Sequence, residues 1–197
     1  MFLHKIIIPE SMIRKLNIHD EYSLHKVVYS QFPISRTTEQ MFNTPSGIQW
    51  KELQDGFRHK NLLVLSDREI VPTEGLIIQS KSVPDKYFSR PQYKFEITAN
   101  PTTQKGNKRT AITNKNEIIE WFKRITSDLG FSIVNVQVDL VSTSKLKKKN
   151  TLIKLVKADL SGVLSVTDHE KFKNAVSKGI GRSRTLGCGL LQITPIA

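Results

Sequence analysis

Gly179-Ile180-Gly181-Arg182-Ser183-Arg184-Thr185-Leu186-Gly187-Cys188-Gly189, running into Leu190-Leu191-Gln192-Ile193, is the stretch on which the fold turns. Four of the ten glycines of this 197-residue chain fall here, with two arginines between them. Glycine lacks the Cβ that would hold a backbone away from a ligand, and it tolerates positive φ. Arginine adds a planar fork of donors matched to phosphate oxygens. The segment follows the amphipathic pattern Glu170 to Lys178 and precedes an apolar run, so it reads as a loop from helix to strand. That order excludes a P-loop, which runs from strand to helix and ends in Gly-Lys-Ser/Thr. A dinucleotide fingerprint fails as well, because Arg184 stands where the third glycine is needed. Two readings remain open at this level: a loop that grips a phosphodiester backbone, or a flexible turn with solvated charges.

Upstream of that loop the second half alternates in a regular order. Tyr93, Phe95 and Ile97 alternate with Lys94, Glu96 and Thr98, the pattern of a half-buried strand. Asn100-Pro101 breaks it, and the polar stretch Thr102 to Arg109 reads as a loop or hairpin tip. Asn116 is placed to cap a helix carrying Ile118, Ile119, Trp121, Phe122 and Ile125, ended by Gly130. Phe131 to Val141 reads as a strand, Lys145 to Asn150 as a charged tip, and Leu152 to Val166 as one or two strands. Asp168 caps the next helix, Gly179 closes it, and Leu190 to Ile193 forms the last strand. Strand, helix, strand, strand, helix, strand is the order of a ferredoxin-like split βαβ unit.

The first half is a looser version. Phe2 to Ile8 reads as a strand stopped by Pro9, and Asp20 as the cap of a helix reaching about Gln31. Ile48 to Leu53, Asn61 to Ser66 and Leu76 to Lys81 then read as strands separated by turn residues. This fits a degenerate copy of the same unit. The expected fold is therefore α+β: two tandem ferredoxin-like (RRM-like) βαββαβ domains, at 1–88 and 92–197, with Ser89-Arg90-Pro91 at the seam.

Charge separates the halves. The chain carries +12 net with a pI near 9.8. Residues 1–90 hold 12 Lys/Arg against 10 Asp/Glu, net +2, whereas residues 91–197 hold 18 against 8, net +10. A neutral half followed by a strongly basic one implies a polyanionic partner engaged mainly by the second. One cysteine cannot close an internal disulfide, no apolar run is long enough to span a membrane, and the N-terminus lacks a signal-peptide pattern. A soluble, cytoplasmic protein without a membrane partner is the expectation.

Few residues invite chemistry. His25 falls one helical turn after Tyr22, so imidazole and phenol share a face and could converge on one ligand. Imidazole moves protons near neutral pH without a metal. A half-buried histidine on an amphipathic helix is the competing reading. No histidine has metal-ligand spacing, so no metal and no cofactor is expected. Lys145, Lys147, Lys148 and Lys149 form one basic cluster, and Lys105, Lys108 and Arg109 another. Each reads either as a solvated tip or as a finger along a nucleic-acid backbone. Trp121-Phe122 reads as core. No RNP1 pattern appears, which removes an ordinary base-stacking sheet. Cys188 reads as a small packing residue.

Taken together, these segments resemble a known family. The run from Gly179 to Leu191 resembles the glycine-rich loop of the CasE-type CRISPR RNA endoribonucleases, of the repeat-associated mysterious protein superfamily. Tyr22-Ser23-Leu24-His25 ahead of Phe32-Pro33 is similar to that family's active-site stretch. Ala99-Asn100-Pro101-Thr102 followed by Lys108-Arg109 is similar to its basic hairpin. The resemblance spans most of the chain but does not align residues 36–90. It implies binding of a CRISPR repeat stem-loop and metal-free cleavage at the 3′ base of the stem. The adjoining ribose 2′-hydroxyl would attack in line, leaving a 2′,3′-cyclic phosphate and a 5′-hydroxyl. It implies His25 as the proton-transfer residue and Tyr22 as its aid at the phosphate, with Lys26 ranked low because an adjacent helical residue points about 100° away. Gly179, Gly181, Arg182 and Arg184, with the two basic clusters, would bind RNA. Other Cascade subunits would be the protein partners. A catalytically silent RNA-binding subunit of the same fold and a basic ribosome-associated protein are the competing functions.

Overall fold

The computed structural model describes residues 1–33, 46–53, 58–148 and 151–196. β1 (Phe2–Pro9) is followed by two helices, α1 (Glu10–Lys15) and α2 (Glu21–Ser30), then β2 (Ile48–Leu53), β3 (His59–Ser66) and β4 (Ile77–Ser82). A single 3₁₀ turn, Asp85–Phe88, leads to β5 (Gln92–Ala99), the short hairpin β6 (Thr102–Lys105) and β7 (Lys108–Ala111), and α3 (Lys115–Thr126). β8 (Phe131–Lys148), β9 (Thr151–Val166), α4 (His169–Lys178), a 3₁₀ turn at Arg184–Leu186 and β10 (Gln192–Pro195) complete the chain.

Two four-stranded antiparallel sheets result, in the orders β2-β3-β1-β4 and β10-β5-β9-β8. Counted within each half, both orders are 2-3-1-4 read from one edge or the other. In the first sheet, period-two alternation buries His4, Ile6 and Ile8 of β1 on one face. There they meet Leu24, Val27 and Val28 of α2, Met12 of α1, and Leu62 and Val64 of β3. The opposite face is also covered. Leu65 belongs to the core of the second half, and Leu3 and Leu63 pack against it. Each fully buried apolar side chain contributes about 1.5–3 kcal/mol, so the first sheet is tied to both layers.

The second core is aromatic at its centre. Phe172 of α4 is fully buried, with ring centroids 5.1 Å from Tyr93, 5.8 Å from Phe131 and 6.4 Å from Phe88. Phe122 of α3 stacks on Phe95 at 5.7 Å. Trp121 and Phe122 are core, as their helical spacing implies.

Several local readings need adjustment. α1 is a short helix that the sequence reading left out; no side chain caps it. α3 begins two residues earlier than expected, because Asn114 and not Asn116 accepts from the first free amides. It ends at Thr126, ahead of Gly130. The charged tip expected at 145–150 is strand up to Lys148 and again from Thr151, with Lys145 opposite Lys154. Leu146 is buried between flanking lysines, so the alternation there has strand period. Between β3 and β4, residues 67–76 form a loop where the second half has α4. Edge strand β8 carries irregularities at Ile133/Asn135 and Val138/Leu140, the kind of break that discourages edge pairing.

β1 also buries a titratable group. His4 lies 2.7 Å from Ser80 Oγ and 2.9 Å from Ser66 Oγ. Ser66 Oγ donates to the Arg68 carbonyl, so His4 Nε2 donates to Ser66 and Nδ1 accepts from Ser80. That arrangement holds the neutral ring. Burial pushes the His4 pKa below its ordinary value, against an opposing pull from the Arg68 carbonyl. The unfolded chain then binds a proton that the native chain refuses. Stability is complete above about pH 6.5 and falls with pH toward the lowered native pKa, by at most about 1.4 kcal/mol per pH unit. Urea midpoints at pH 7.5 and 5.0 should separate further for the wild-type chain than for His4→Leu. Equal separations would show that His4 is not the coupled group.

Candidate nucleic-acid interface and active site

α2 holds its candidate residues on the face away from Leu24, Val27 and Val28. Asp20 caps it, accepting from Ser23 N at 2.8 Å, while Ser23 Oγ accepts from Asp20 N at 3.0 Å. This reciprocal box fixes the first turn. Leu24, Val27 and Val28 point into the core, leaving Tyr22, His25, Lys26 and Tyr29 on the other side. The half-buried His25 ring lies between two phenols, with centroids 6.1 Å from Tyr22 and 4.3 Å from Tyr29. Tyr29 OH is in turn 2.9 Å from Ser46 Oγ. The structure thus brings Tyr22 and His25 together as their spacing implies. It adds Tyr29, whose signal was its place four residues after His25. Lys26 Nζ stands 4.7 Å from the centre of the Tyr22 ring. Lys26 points away from His25 along the helix, but it is four residues after Tyr22, and that spacing returns its ammonium to the same cluster.

The glycine-rich loop packs directly against this helix. Its 3₁₀ turn, Arg184–Leu186, touches both α2 and β2. Trp50 Nε1, from a side chain only 1% exposed, donates to Thr185 O at 3.2 Å. Gln49 Nε2 donates to the carbonyls of Val176 at 3.0 Å and Ser177 at 2.5 Å, and Arg184 Nη1 to that of Lys178 at 2.7 Å. These are carbonyls that the end of α4 leaves without helical partners. Ser183, in the left-handed region at φ 58°, receives the Asn100 amide on its hydroxyl at 2.7 Å.

Two glycines are required by the protein's own packing. At Gly187, φ is 78° and a Cβ would fall 2.9 Å from the Trp50 ring. At Gly189, φ is 88° and a Cβ would fall 2.6 Å from the Ile180 carbonyl oxygen. Gly179 is likewise crowded by Gln49, whereas Gly181 lies open beside the Trp121 ring at 3.7 Å. Cys188 is buried between them, and burial pushes its thiol up to about 12. It is a packing residue, not a nucleophile.

On the outer side of the loop lies a cleft of about 780 Å³ between the β6–β7 hairpin, α3 and the loop itself. Arg109, Arg124, Arg182 and Arg184 line it, with Thr102, Ser183 and Thr185, and among the described residues no carboxylate does. Arg182 and Arg124 are exposed. Arg109 makes a long bond of 3.4 Å to Gln104 Oε1, and Arg184 is shared with the helix end. Arg124 was missed in the sequence because it falls on a helix otherwise read for its core face. The predicted RNA-binding residues therefore divide. Arg109, Gly181, Arg182 and Arg184 meet at one cleft, while Gly179 lies on its inner side. Lys108 is at the exposed hairpin, opposite Lys105. Lys145, Lys147 and Lys148 lie on the far end of β8, and Lys149 is outside the described residues. Among the described residues no group of three or more His, Cys, Asp and Glu could hold a metal ion, and no helix is long and apolar enough to cross a membrane.

Such an arrangement is that of an α+β protein with an arginine-lined cleft on one side of a glycine-rich loop and an imidazole between two phenols on the helix at its back. The chain belongs to the CRISPR-associated proteins, whose family description, CRISPR associated protein, matches residues 1–195. No curated protein sequence matches it. Among solved structures, a CRISPR endoribonuclease Cse3 bound to 19-nucleotide RNA is 22% identical at a TM-score of 0.84, covering 99% of this chain and all of that one. The CRISPR-associated protein Cas6e from Escherichia coli str. K-12 is 21% identical at 0.77, covering 100% of both chains. A chain of a CRISPR RNA-guided surveillance complex is 18% identical at 0.76, also covering both fully. The family expected from the sequence is thus as found, and so is an α+β chain with two four-stranded antiparallel sheets.

Gly187→Ala should lower stability by about 1–3 kcal/mol through its left-handed backbone and the clash with Trp50. Gly181→Ala, with the same sign of φ but no close neighbour, should lose less. Thermal melts of the two variants make the comparison, and a larger loss at Gly181 would overturn the assignment of crowding to Trp50.

Proposed function

We propose that this chain is a metal-independent endoribonuclease that cuts CRISPR repeat RNA at the 3′ base of its stem-loop. It then stays with its product as a subunit of a Cascade surveillance complex in the cytoplasm. The observation that carries the reading is the shared loop: one side of it walls the four-arginine cleft, and the other side packs on the helix bearing Tyr22, His25 and Tyr29. RNA backbone held in the cleft would lie next to a proton donor and acceptor. The similar structures, an endoribonuclease bound to RNA and a chain of a surveillance complex, support the same reading. Two tandem ferredoxin-like domains, 1–88 and 92–197, would divide the work. The first supplies the reacting side chains and the second most of the cationic surface, in keeping with net charges of +2 for residues 1–90 and +10 for residues 91–197.

In this mechanism the ribose 2′-oxygen bonds to the adjoining phosphorus while the bond from phosphorus to the 5′-oxygen breaks. The 2′-hydroxyl gives up its proton and the departing 5′-oxygen gains one, so no water is consumed. His25 serves one or both transfers. Tyr22 orients the phosphate, and the Lys26 ammonium beside its ring offsets the extra charge of the transition state. Arg182, Arg184, Arg109 and Arg124 hold the backbone, with the lysines of the hairpin and of β8 extending the track. Shape and backbone readout suit an RNA duplex, whose major groove is too narrow for side chains.

Repeat RNA incubated with the chain in EDTA should be cut, giving a 2′,3′-cyclic phosphate. His25→Ala should lose at least about 100-fold in rate while RNA binding persists. A 2′-deoxy nucleotide at the cut site should stop the reaction. Binding without cutting by the wild-type chain would point instead to a silent RNA-binding subunit. In a salt titration, Arg182→Ala should weaken binding and reduce the slope of log K against log salt by about 1. An affinity that does not distinguish the repeat hairpin from other RNAs would point to a general basic RNA binder.

A further inference from the structure

Glu21 and Lys157 form an ion pair that joins the two halves at the first turn of the active-site helix. Lys157 Nζ of β9 lies 2.9 Å from Glu21 Oε1, and the side chains are only 18% and 15% exposed. The neighbourhood is a junction. β8 runs against α2 there, and Cys188 of the glycine-rich loop feels the charges of Lys157, Glu21 and Asp159. Helix, basic sheet and loop thus meet at one half-buried charged cluster. Glu21 precedes His25 by one turn, so both project from the same side of α2.

We infer that the Glu21–Lys157 pair is a positioning element that fixes the placement of Tyr22 and His25 against RNA held by the second half. The inference rests on the endoribonuclease reading for its rate consequences, but not for its structural ones. A ten-residue helix has little stability of its own. Leu24, Val27 and Val28 hold its long side to the first core, and the Lys157 contact ties its N-terminus to β9. Removing one partner of a largely buried pair strands the other charge, so the pair penalises displacement of the helix start. Burial would raise the Glu21 carboxyl, yet the Lys157 bond and charge and the helix backbone together bring it below its ordinary value. An acidic side chain at the first helical position also suits the helix dipole. In-line attack tolerates little misplacement of the proton-transfer group, and errors near 1 Å cost roughly 100-fold.

The test combines hydrogen exchange with single-turnover cleavage in Lys157→Met and Glu21→Gln, the latter nearly isosteric and usable if the former fails to fold. Amide exchange across residues 21–30 should accelerate at least about tenfold in both variants, while the centre of β9 keeps wild-type protection. At saturating repeat RNA the cleavage rate should fall roughly 10–100-fold, with RNA affinity within about twofold of wild type. Lys157→Arg should restore the rate, and the exchanged pair Glu21→Lys with Lys157→Glu should recover part of it. Unchanged exchange in α2 overturns the proposal, whatever happens to cleavage. Loss of RNA affinity with unchanged α2 exchange makes Lys157 an RNA contact and overturns it as well. A wild-type chain that cuts no repeat RNA overturns the catalytic reading alone, and α2 exchange still decides the role of the pair.

Discussion

The last carbonyls of α4 cannot be satisfied within their own helix, and the way they are satisfied ties this molecule together. Gln49, on the edge strand of the first sheet, donates to Val176 and Ser177; Arg184, from the loop that follows, donates to Lys178. An unpaired buried carbonyl costs about 1–3 kcal/mol, so the helix end cannot leave β2 without loss. Trp50, next along β2, then holds Thr185 and fills the space that Gly187 leaves open. The glycine-rich loop is therefore a joint before it is a ligand surface. Its inner glycines give room to Trp50, to Gln49 and to the loop's own backbone, and only its outer residues are free to meet a partner.

This joint explains how one loop can serve both cleft and helix. With its inner side fixed to β2, its outer side presents Arg182 and Ser183 to the cleft at a set height. Asn100 pins Ser183 from the other direction, and Gly189 N donates to Thr98 O at the end of β5. A segment so held can transmit position from cleft to α2 with little conformational slack. The second cross-half contact, at Glu21 and Lys157, acts on the other end of the same relation. The loop sets the height of the arginines over the cleft, and the ion pair ties the start of α2 to β9.

What the sequence allowed depended on whether each signal was local. The Asp20 and Asp168 caps, the alternation from Tyr93 to Ile97 and the core role of Trp121-Phe122 are written within a few residues, and each is realised. Tyr22 and His25 were legible for the same reason. α1 was not, because a six-residue helix with no side-chain cap leaves no periodic signal. The lysines after Ser144 read as a tip because their charge outweighed one leucine, yet burial of Leu146 keeps the strand going. Lys26 was set aside by comparing it with its neighbour His25, when its partner was Tyr22, four residues earlier. Gln49, Asn100 and Lys157 had no local signature at all. Their partners lie 128, 83 and 136 residues away, at Ser177, Ser183 and Glu21, and only the folded chain brings them together.

The glycine spacing illustrates the same point from the other side. Read as sequence, Gly179, Gly181, Gly187 and Gly189 suggest room for a phosphate, since missing Cβ atoms are what a close ligand requires. In the fold, three of the four missing Cβ atoms make room for the protein itself. The functional content of the motif therefore resides less in its glycines than in what they permit. They let a loop lie flat against a tryptophan from the other half, so that arginines face outward and α2 stays within contact. A substitution that preserves every cationic side chain but lifts the loop from Trp50 would separate cleft from helix.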